Sequence, residues 1–411
     1  MGKFLLDALR EIGEVSKGKN LFERNATTIS YKTGIPILDY YLGYMVNVYD
    51  ENNNIIDKYP SLGITGGSYV TVIGKSSTAK TSAIVGIAAN IIRPFENGSI
   101  IHYDLEQAMT YARAQVMAKF KMTEMRDKYL IRQENTSITD IKSSIIKLYL
   151  EKTNNPDKYQ YDTGKKNEFG ENIITYVPTV VIIDSIPSLS SAVNENDKKD
   201  VQKLEEVSSQ TERMRLTAEI GRFYTELLPY IRAANIIVFS VNHIKVNPGM
   251  GIVKSPAELL YLKQDEALPG GKSPQYLAHI LTKHVAVSSD KFTLEDDGFD
   301  GFGIRIEIIK CRSNQAGKSF EIVYDKVRGV DSLRTSLLFA KENGLLTGNK
   351  NNTRFISNPD NKFEMAHVHE YFKEHREMYN IMYDNIIPIL ESKLSSVNAD
   401  EMEYIEDEMN Y

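Results

Sequence analysis

Short apolar runs recur along this chain, with longer stretches of helical periodicity between them. Residues 69–73, 99–103, 177–183, 236–241, 304–309 and 320–324 are rich in Val, Ile, Phe and Tyr. Runs of that length and composition predict strands, most of them buried on both faces. Between them apolar residues return every three or four positions, as over 83–89 and over a long stretch at 198–233 that Pro229 is expected to break. Strands alternating with helices predict an α/β domain on a largely parallel sheet.

The flanks carry other patterns. Residues 3–12 have the spacing of a short amphipathic helix, followed by a polar link, Leu21-Phe22 and an extended stretch at 27–31. Ile35, Ile37, Leu38, Tyr41 and Leu42 then stand at helical spacing. Asp50-Glu51-Asn52-Asn53-Asn54 separates two apolar runs, 45–49 and 55–56, and predicts a surface hairpin. Residues 151–176 are polar and read as an insertion. Beyond Val330 a helix over 336–343 with Gly344 as its cap, a short strand at 353–356 and a helical pattern over 378–394 around Pro388 predict a small second domain. The expected division is 1–30, 31–330, 331–395 and a tail at 396–411.

Composition narrows the class. At 411 residues, 42% hydrophobic and 25% charged, the chain is that of a globular protein. No apolar run approaches the roughly 18–20 residues that span a bilayer, and the start of the chain breaks to Asp7, Arg10 and Glu11 too early for a secretory signal. The single cysteine, Cys311, excludes an internal disulfide and suits a reducing, cytoplasmic compartment. The net charge of −6 is matched by the acidic residues Asp400, Glu401, Glu403, Glu406, Asp407 and Glu408, so the remainder of the chain is neutral. A neutral body can bind phosphates locally, and the tail either competes for its basic surface or only solubilises.

The most specific motif follows the first buried run. Gly74-Lys75-Ser76-Ser77-Thr78-Ala79-Lys80-Thr81-Ser82 lies between a strand pattern and a helical one, the setting of a nucleotide-binding P-loop. In that loop backbone N–H groups and the helix N-terminus converge on phosphate oxygens. Lys80 is placed for the β- and γ-phosphates and the Thr81 hydroxyl for Mg²⁺. Ala79 stands where the pattern has a second glycine, so a positive φ there is strained.

Three further runs end in polar residues. The run 180–183 ends at Asp184-Ser185, whose carboxylate is placed at the carboxyl edge of the sheet to hold the metal's water shell. Ile100-Ile101-His102-Tyr103 ends at Asp104-Leu105-Glu106, with Glu106 either activating the attacking water or capping a helix. The run 236–241 ends at Asn242-His243, either able to hydrogen-bond a γ-phosphate or merely to cap the strand. An irregular stretch over 244–275 follows, rich in Pro and Gly, with Lys245, Lys254, Lys263 and Lys272. A loop that long inside a domain is usually functional or disordered.

With these strand ends in this order the chain resembles the RecA-type homologous-recombination ATPases, and among them the UvsX-type recombinases of tailed bacteriophages. The shared series is Thr33-Gly34, the P-loop, Asp104-Leu105-Glu106, Asp184-Ser185, Asn242-His243 and Pro269-Gly270-Gly271. His at 243 and the missing second P-loop glycine are similar to the phage proteins. The resemblance implies a RecA-like P-loop ATPase core with a mostly parallel sheet, a short N-terminal oligomerisation arm, a small α+β C-terminal domain and the acidic tail. It implies ATP and Mg²⁺ as cofactors, Lys80 and Thr81 on the phosphates and metal, Asp184 on the metal and Glu106 as water activator. Tyr111 and Arg113, in Thr110-Tyr111-Ala112-Arg113, resemble the adenine-stacking segment, although Tyr111 lies nearer Glu106 than in the family and packing at a helix start is its plainer role.

His243 is implied to couple the γ-phosphate to a DNA-binding loop carrying Lys245, Lys254, Lys263, Gly270, Gly271 and Lys272, with 186–203 in the place of a first such loop. Lys310 and Arg312 resemble a basic pair that reaches a neighbouring subunit's ATP; as plain residues they are exposed positions on an edge strand. The implied partners are single- and double-stranded DNA, further copies in a helical filament, and single-strand-binding and mediator proteins. The implied location is the cytoplasm of an infected bacterial cell, where viral DNA replicates. Two other classes share such a core: hexameric helicases, which carry an N-terminal domain that residues before 74 leave little room for, and non-hydrolysing regulatory proteins, which tend to lose Lys80, Glu106 or Asp184 equivalents. His367-Val368-His369 lacks a third metal ligand at useful spacing.

Overall fold

The computed structural model describes residues 28–52, 54–134, 136–189, 209–246, 261–263, 266–287 and 301–394. The N-terminal helix at 3–12, Leu21-Phe22, most of the loop at 186–203, Lys254 with most of its loop, and the acidic tail lie outside them. Among the described residues no helix is long and apolar enough to cross a membrane.

Nine strands form the central sheet: β1 (Tyr69–Gly74), β2 (Ser99–Asp104), β3 (Tyr129–Arg132), β4 (Thr179–Asp184), β5 (Ile236–His243), β6 (Ile280–Ala286), β7 (Gly301–Cys311), β8 (Ser319–Asp325) and β9 (Gly329–Asp331). Their order is β9-β8-β7-β6-β1-β5-β4-β2-β3. Pairing is parallel from β3 through to β6 and antiparallel from β6 to β9. The sheet is therefore mixed, with its parallel part in the half that holds the Gly74–Thr81 loop. Every residue of β1 and β4 is buried, because helices cover both faces.

Alternate residues of each strand feed two different cores. Val70, Val72, Ile100, Val180, Ile182, Ile237, Phe239 and Val241 pack with helix α1 (Lys80–Ile92) on one face. Tyr69, Tyr103, Val181, Ile183, Ile236 and Val238 pack on the other with α3 (Ile138–Asn154) and α4 (Ser209–Ala233). Between β2 and β3 the short α2 (Tyr111–Ala118) leans on α1.

Three expectations need correcting. Helix α4 runs through Pro229 unbroken. Ile220, Phe223, Tyr224, Leu227 and Ile231 bury one continuous stripe against the sheet on both sides of the proline, which outweighs the one lost backbone bond. Strands β3, β6 and β9 were not expected, and all three join the main sheet. Strand β7 lies inside the sheet, but its pairing with β8 ends at Glu307, so Lys310 stands on a stretch paired on one side only and Arg312 just past its end.

The hairpin at the polar run is present as Tyr44–Tyr49 paired with Ile55–Ser61. The polar segment after α3 holds one helical turn, Pro156–Tyr159, and a second hairpin, Gln160–Lys166 with Asn172–Tyr176. The two hairpins meet where Tyr49 N–H donates to the Glu168 carbonyl at 3.1 Å.

After β9 come α5 (Ser332–Glu342), a three-stranded sheet and α6 (Glu377–Glu391). Gly344, with φ +69°, follows the end of α5 in the left-handed conformation that closes helices. Leu337, Phe355, Phe372, Met382 and Ile386 belong to the same hydrophobic cluster as the α1 face of the sheet. The C-terminal segment thus packs as a continuation of that core.

Candidate nucleotide site at the carboxyl edge of the sheet

Parallel register brings the ends of the strands together. Gly74 at the end of β1 pairs with His243 of β5 and with His284 of β6, and Asp184 of β4 pairs with Asp104 of β2. A side chain on Gly74 would meet the His284 carbonyl at 2.6 Å, so the loop can turn there only without one. Ser77 and Ala79 both have positive φ, +62° and +48°, and Ala79 caps α1 without a side-chain hydrogen bond. The strain expected at Ala79 is present.

Lys80 is buried at the start of α1, its ammonium donating to the carbonyls of Gly74 (3.1 Å) and Lys75 (2.7 Å). Burial pulls it down to about 8, against the upward pull of Asp184 and Glu106. The Thr81 hydroxyl donates to Asp184 Oδ2. Thr78 Oγ1 donates to the Lys75 carbonyl, while Lys75, Ser76 and Ser77 are exposed and Ser82 is half-buried.

Glu106, Asp184 and His243 each offer a ligand atom within 4.8 Å of the others. Glu106 Oε1 accepts from Ser185 Oγ at 2.5 Å and lies 3.1 Å from His243 Nε2. Hydroxyl and carboxylate oxygens suit Mg²⁺, whereas imidazole suits softer metals. Thr81 and Asp184 therefore fit that ion, and His243 fits a role towards Glu106.

Asn242 and His243 separate in role. Asn242 is fully buried and its Nδ2 grips the Pro269 carbonyl at 2.8 Å, fixing the far end of the long loop. Gly270 and Gly271, at φ +83° and +77°, pass so close to Ile186 and to Thr217 of α4 that a Cβ would stand 2.5 Å from either. Lys245, Lys263 and Lys272 are exposed. The described ends of this loop pair as Lys245–Val246 with Glu266–Ala267. Glu266, almost wholly buried, ties them to the P-loop: its carboxylate is 3.4 Å from Lys75 Nζ and 3.8 Å from Lys283 Nζ.

Arg113 donates to the Tyr324 hydroxyl at 2.8 Å, and that hydroxyl donates to Ser82 Oγ at 3.1 Å, linking α2, β8 and α1. Tyr111 turns its hydroxyl to the Met125 carbonyl at 3.0 Å and lines a cleft of about 530 Å³ with Arg126, Tyr129 and Gln133.

Lys310 and Arg312 lie at the opposite, amino edge. Lys310 is level with Leu281 of β6 and through it with Thr71 of β1, and Arg312 N–H donates to the His279 carbonyl. His279 stands five residues before His284, roughly 16 Å along the strand from the P-loop level.

Sequence reasoning missed several residues here. His284, buried under the Gly74–Thr81 loop, is drawn down to about 4 by burial and the Lys80 charge. His279 is lowered to about 4 by burial and by Arg312, Arg232 and Lys310. His284 sits on β6 and His279 just before its start; Thr282, Lys283 and His284 interrupt the apolar pattern of Ile280, Leu281 and Val285. No protein-family model matches this chain, and no curated protein sequence matches it.

Proposed function

We propose that the chain is a DNA-dependent ATPase of the RecA type that assembles as a filament on single-stranded DNA and carries out homologous pairing and strand exchange. The observation that carries the proposal is the convergence of Lys80, Thr81, Glu106, Asp184 and His243 at one edge of a parallel sheet, at the mouth of a left-handed P-loop turn. In this reading the loop's backbone N–H groups and the N-terminus of α1 receive the phosphates. Negative phosphate charge restores Lys80 to full protonation. Thr81 and Asp184 hold Mg²⁺, which when bound neutralises charge on the phosphate oxygens.

Glu106 orients water, with Ser185 Oγ and His243 setting the direction of its carboxylate. His243 reports the occupant of the site to the loop that begins one residue later, and Asn242 with Glu266 holds that loop's two ends to the P-loop. Lysines of the loop meet DNA phosphates without sequence preference. The position of Lys310 and Arg312, too far along the sheet to serve their own P-loop, supports action on a second copy's nucleotide. Arg232, 3.3 Å from His279 Nε2, belongs to that same basic face. Contacts of this head-to-tail kind do not close and so generate filaments.

The test is ATP hydrolysis with and without single-stranded DNA, on wild type and Lys80→Ala. Strong stimulation by DNA that the variant loses supports the proposal, and strand exchange then separates a recombinase from a helicase. Turnover indifferent to DNA overturns the recombinase reading, and absence of turnover in wild type overturns the enzyme.

A further inference from the structure

His102 is a wholly buried imidazole inside the hydrophobic sheet, midway along β2. Its strand neighbours on the same face are Ile100 and Asp104, and across the sheet it pairs with Ile182. A phenyl ring would satisfy this packing. The ring's two nitrogens, however, are both placed for chemistry. Nδ1 lies 2.9 Å from the hydroxyl of Tyr129, which β3 brings alongside. Among the described residues Nε2 has no hydrogen-bond partner, and it stands 3.9 Å from Asp184 Oδ2, the oxygen that accepts from Thr81.

The tautomer follows from these neighbours. A neutral imidazole carries one N–H. A lone pair on Nε2 would face the Asp184 carboxylate and repel it, so Nε2 bears the hydrogen. Nδ1 then accepts from the Tyr129 O–H, which stays protonated because burial, with Asp184 and Asp104 nearby, pushes its pKa far above the ordinary value. Tyr129, His102 and Asp184 thus form a chain in which each hydrogen points towards the carboxylate. Nε2 is about 1 Å beyond hydrogen-bond length. Leaving a buried N–H unmade is costly, which favours a closer approach of the two groups.

We infer that His102 is a positioning residue for Asp184: its Nε2–H fixes the carboxylate that, in the nucleotide-site reading on which this inference rests, holds the divalent cation. Groups behind a metal ligand typically change metal affinity ten- to a hundredfold.

The experiment measures binding of a fluorescent ATP analogue during a Mg²⁺ titration and, separately, in EDTA, for wild type, His102→Phe, His102→Gln and Tyr129→Phe. His102→Phe keeps the volume and removes both nitrogens; His102→Gln restores an N–H near the Nε2 position. The expected results are an approximately tenfold higher Mg²⁺ half-saturation for His102→Phe, with EDTA affinity within about twofold of wild type. His102→Gln is expected to recover most of the loss and Tyr129→Phe to lose about threefold. Equal Mg²⁺ titrations for wild type and His102→Phe overturn the inference, as does an affinity loss of the same size with and without Mg²⁺. Should His102→Phe not fold, Tyr129→Phe decides: a raised Mg²⁺ half-saturation with unchanged EDTA affinity supports the inference, and a Mg²⁺ titration equal to wild type overturns it. Wild type that binds no nucleotide in Mg²⁺ overturns the nucleotide-site reading, and this inference with it; that result is read without any variant.

Discussion

Lys152 near the end of α3 is nearly inaccessible, and its ammonium donates to two backbone carbonyls, Val177 at 2.7 Å and Ala234 at 3.0 Å. These carbonyls stand just before β4 and β5, so the side chain pins the starts of the two strands that end in Asp184 and His243. Burial pulls Lys152 from its ordinary 10.5 to about 7. The sign follows from proton counting. Between about pH 7 and 10.5 the unfolded chain holds this proton and the folded chain does not, so stability rises with pH across that window.

The full difference corresponds to a limit of about 5 kcal/mol, of which about 2 kcal/mol falls between pH 7 and 9. The opposing effect is the two carbonyls, each costing about 1–3 kcal/mol when left without a donor. Lys152→Met keeps the length and removes donor and charge together. Urea unfolding should find the variant about 2 kcal/mol less stable than wild type at pH 9, where about 2 kcal/mol of the burial cost still opposes about 4 kcal/mol from the two carbonyls, and nearly equal to it at pH 7, where that cost is about 4 kcal/mol. Stability differences that are the same at both pH values would refute the reasoning, because the charge would then not be felt in the fold.

Other outcomes follow from single contacts. Ala79→Gly should stabilise the fold by about 0.5–1 kcal/mol, since relief of a left-handed L-residue exceeds the backbone entropy glycine adds; a lowered melting temperature would contradict the turn. Glu266 gains from burial only a tendency to protonate, but the Lys263 N–H, Lys283 and Lys75 outweigh it and hold its pKa below the ordinary 4.5. Glu266→Gln should therefore cost about 1–2 kcal/mol at pH 7, and the cost should fade as pH drops below 4.5; chemical denaturation at pH 7 and pH 4 checks this.

The sequence alone determined the local grammar of this protein. Six of the nine strands were legible because they are short and apolar, and the polar residues at their carboxyl ends marked Asp184, Glu106 and His243 as site candidates. The strand–turn–helix setting of Gly74–Thr81 was legible because backbone turns and helix starts depend on nearby residues, down to the strain at Ala79. Strands β3, β6 and β9 were not legible. Thr282, Lys283 and His284 look like surface positions, and only the fold supplies the burial and partners that make them interior: the P-loop above His284, and Glu266 with the Tyr261 carbonyl for Lys283.

Pro229 signalled a break that a stripe buried on both of its sides prevents. Tertiary structure alone decided which strand lies beside which, and hence that His102 faces Asp184 and that Lys310 and Arg312 belong to the edge far from Lys80. Periodicity records which face of a segment is buried. It carries no record of the neighbour on that face, because register and strand order are fixed by contacts between residues distant in the chain.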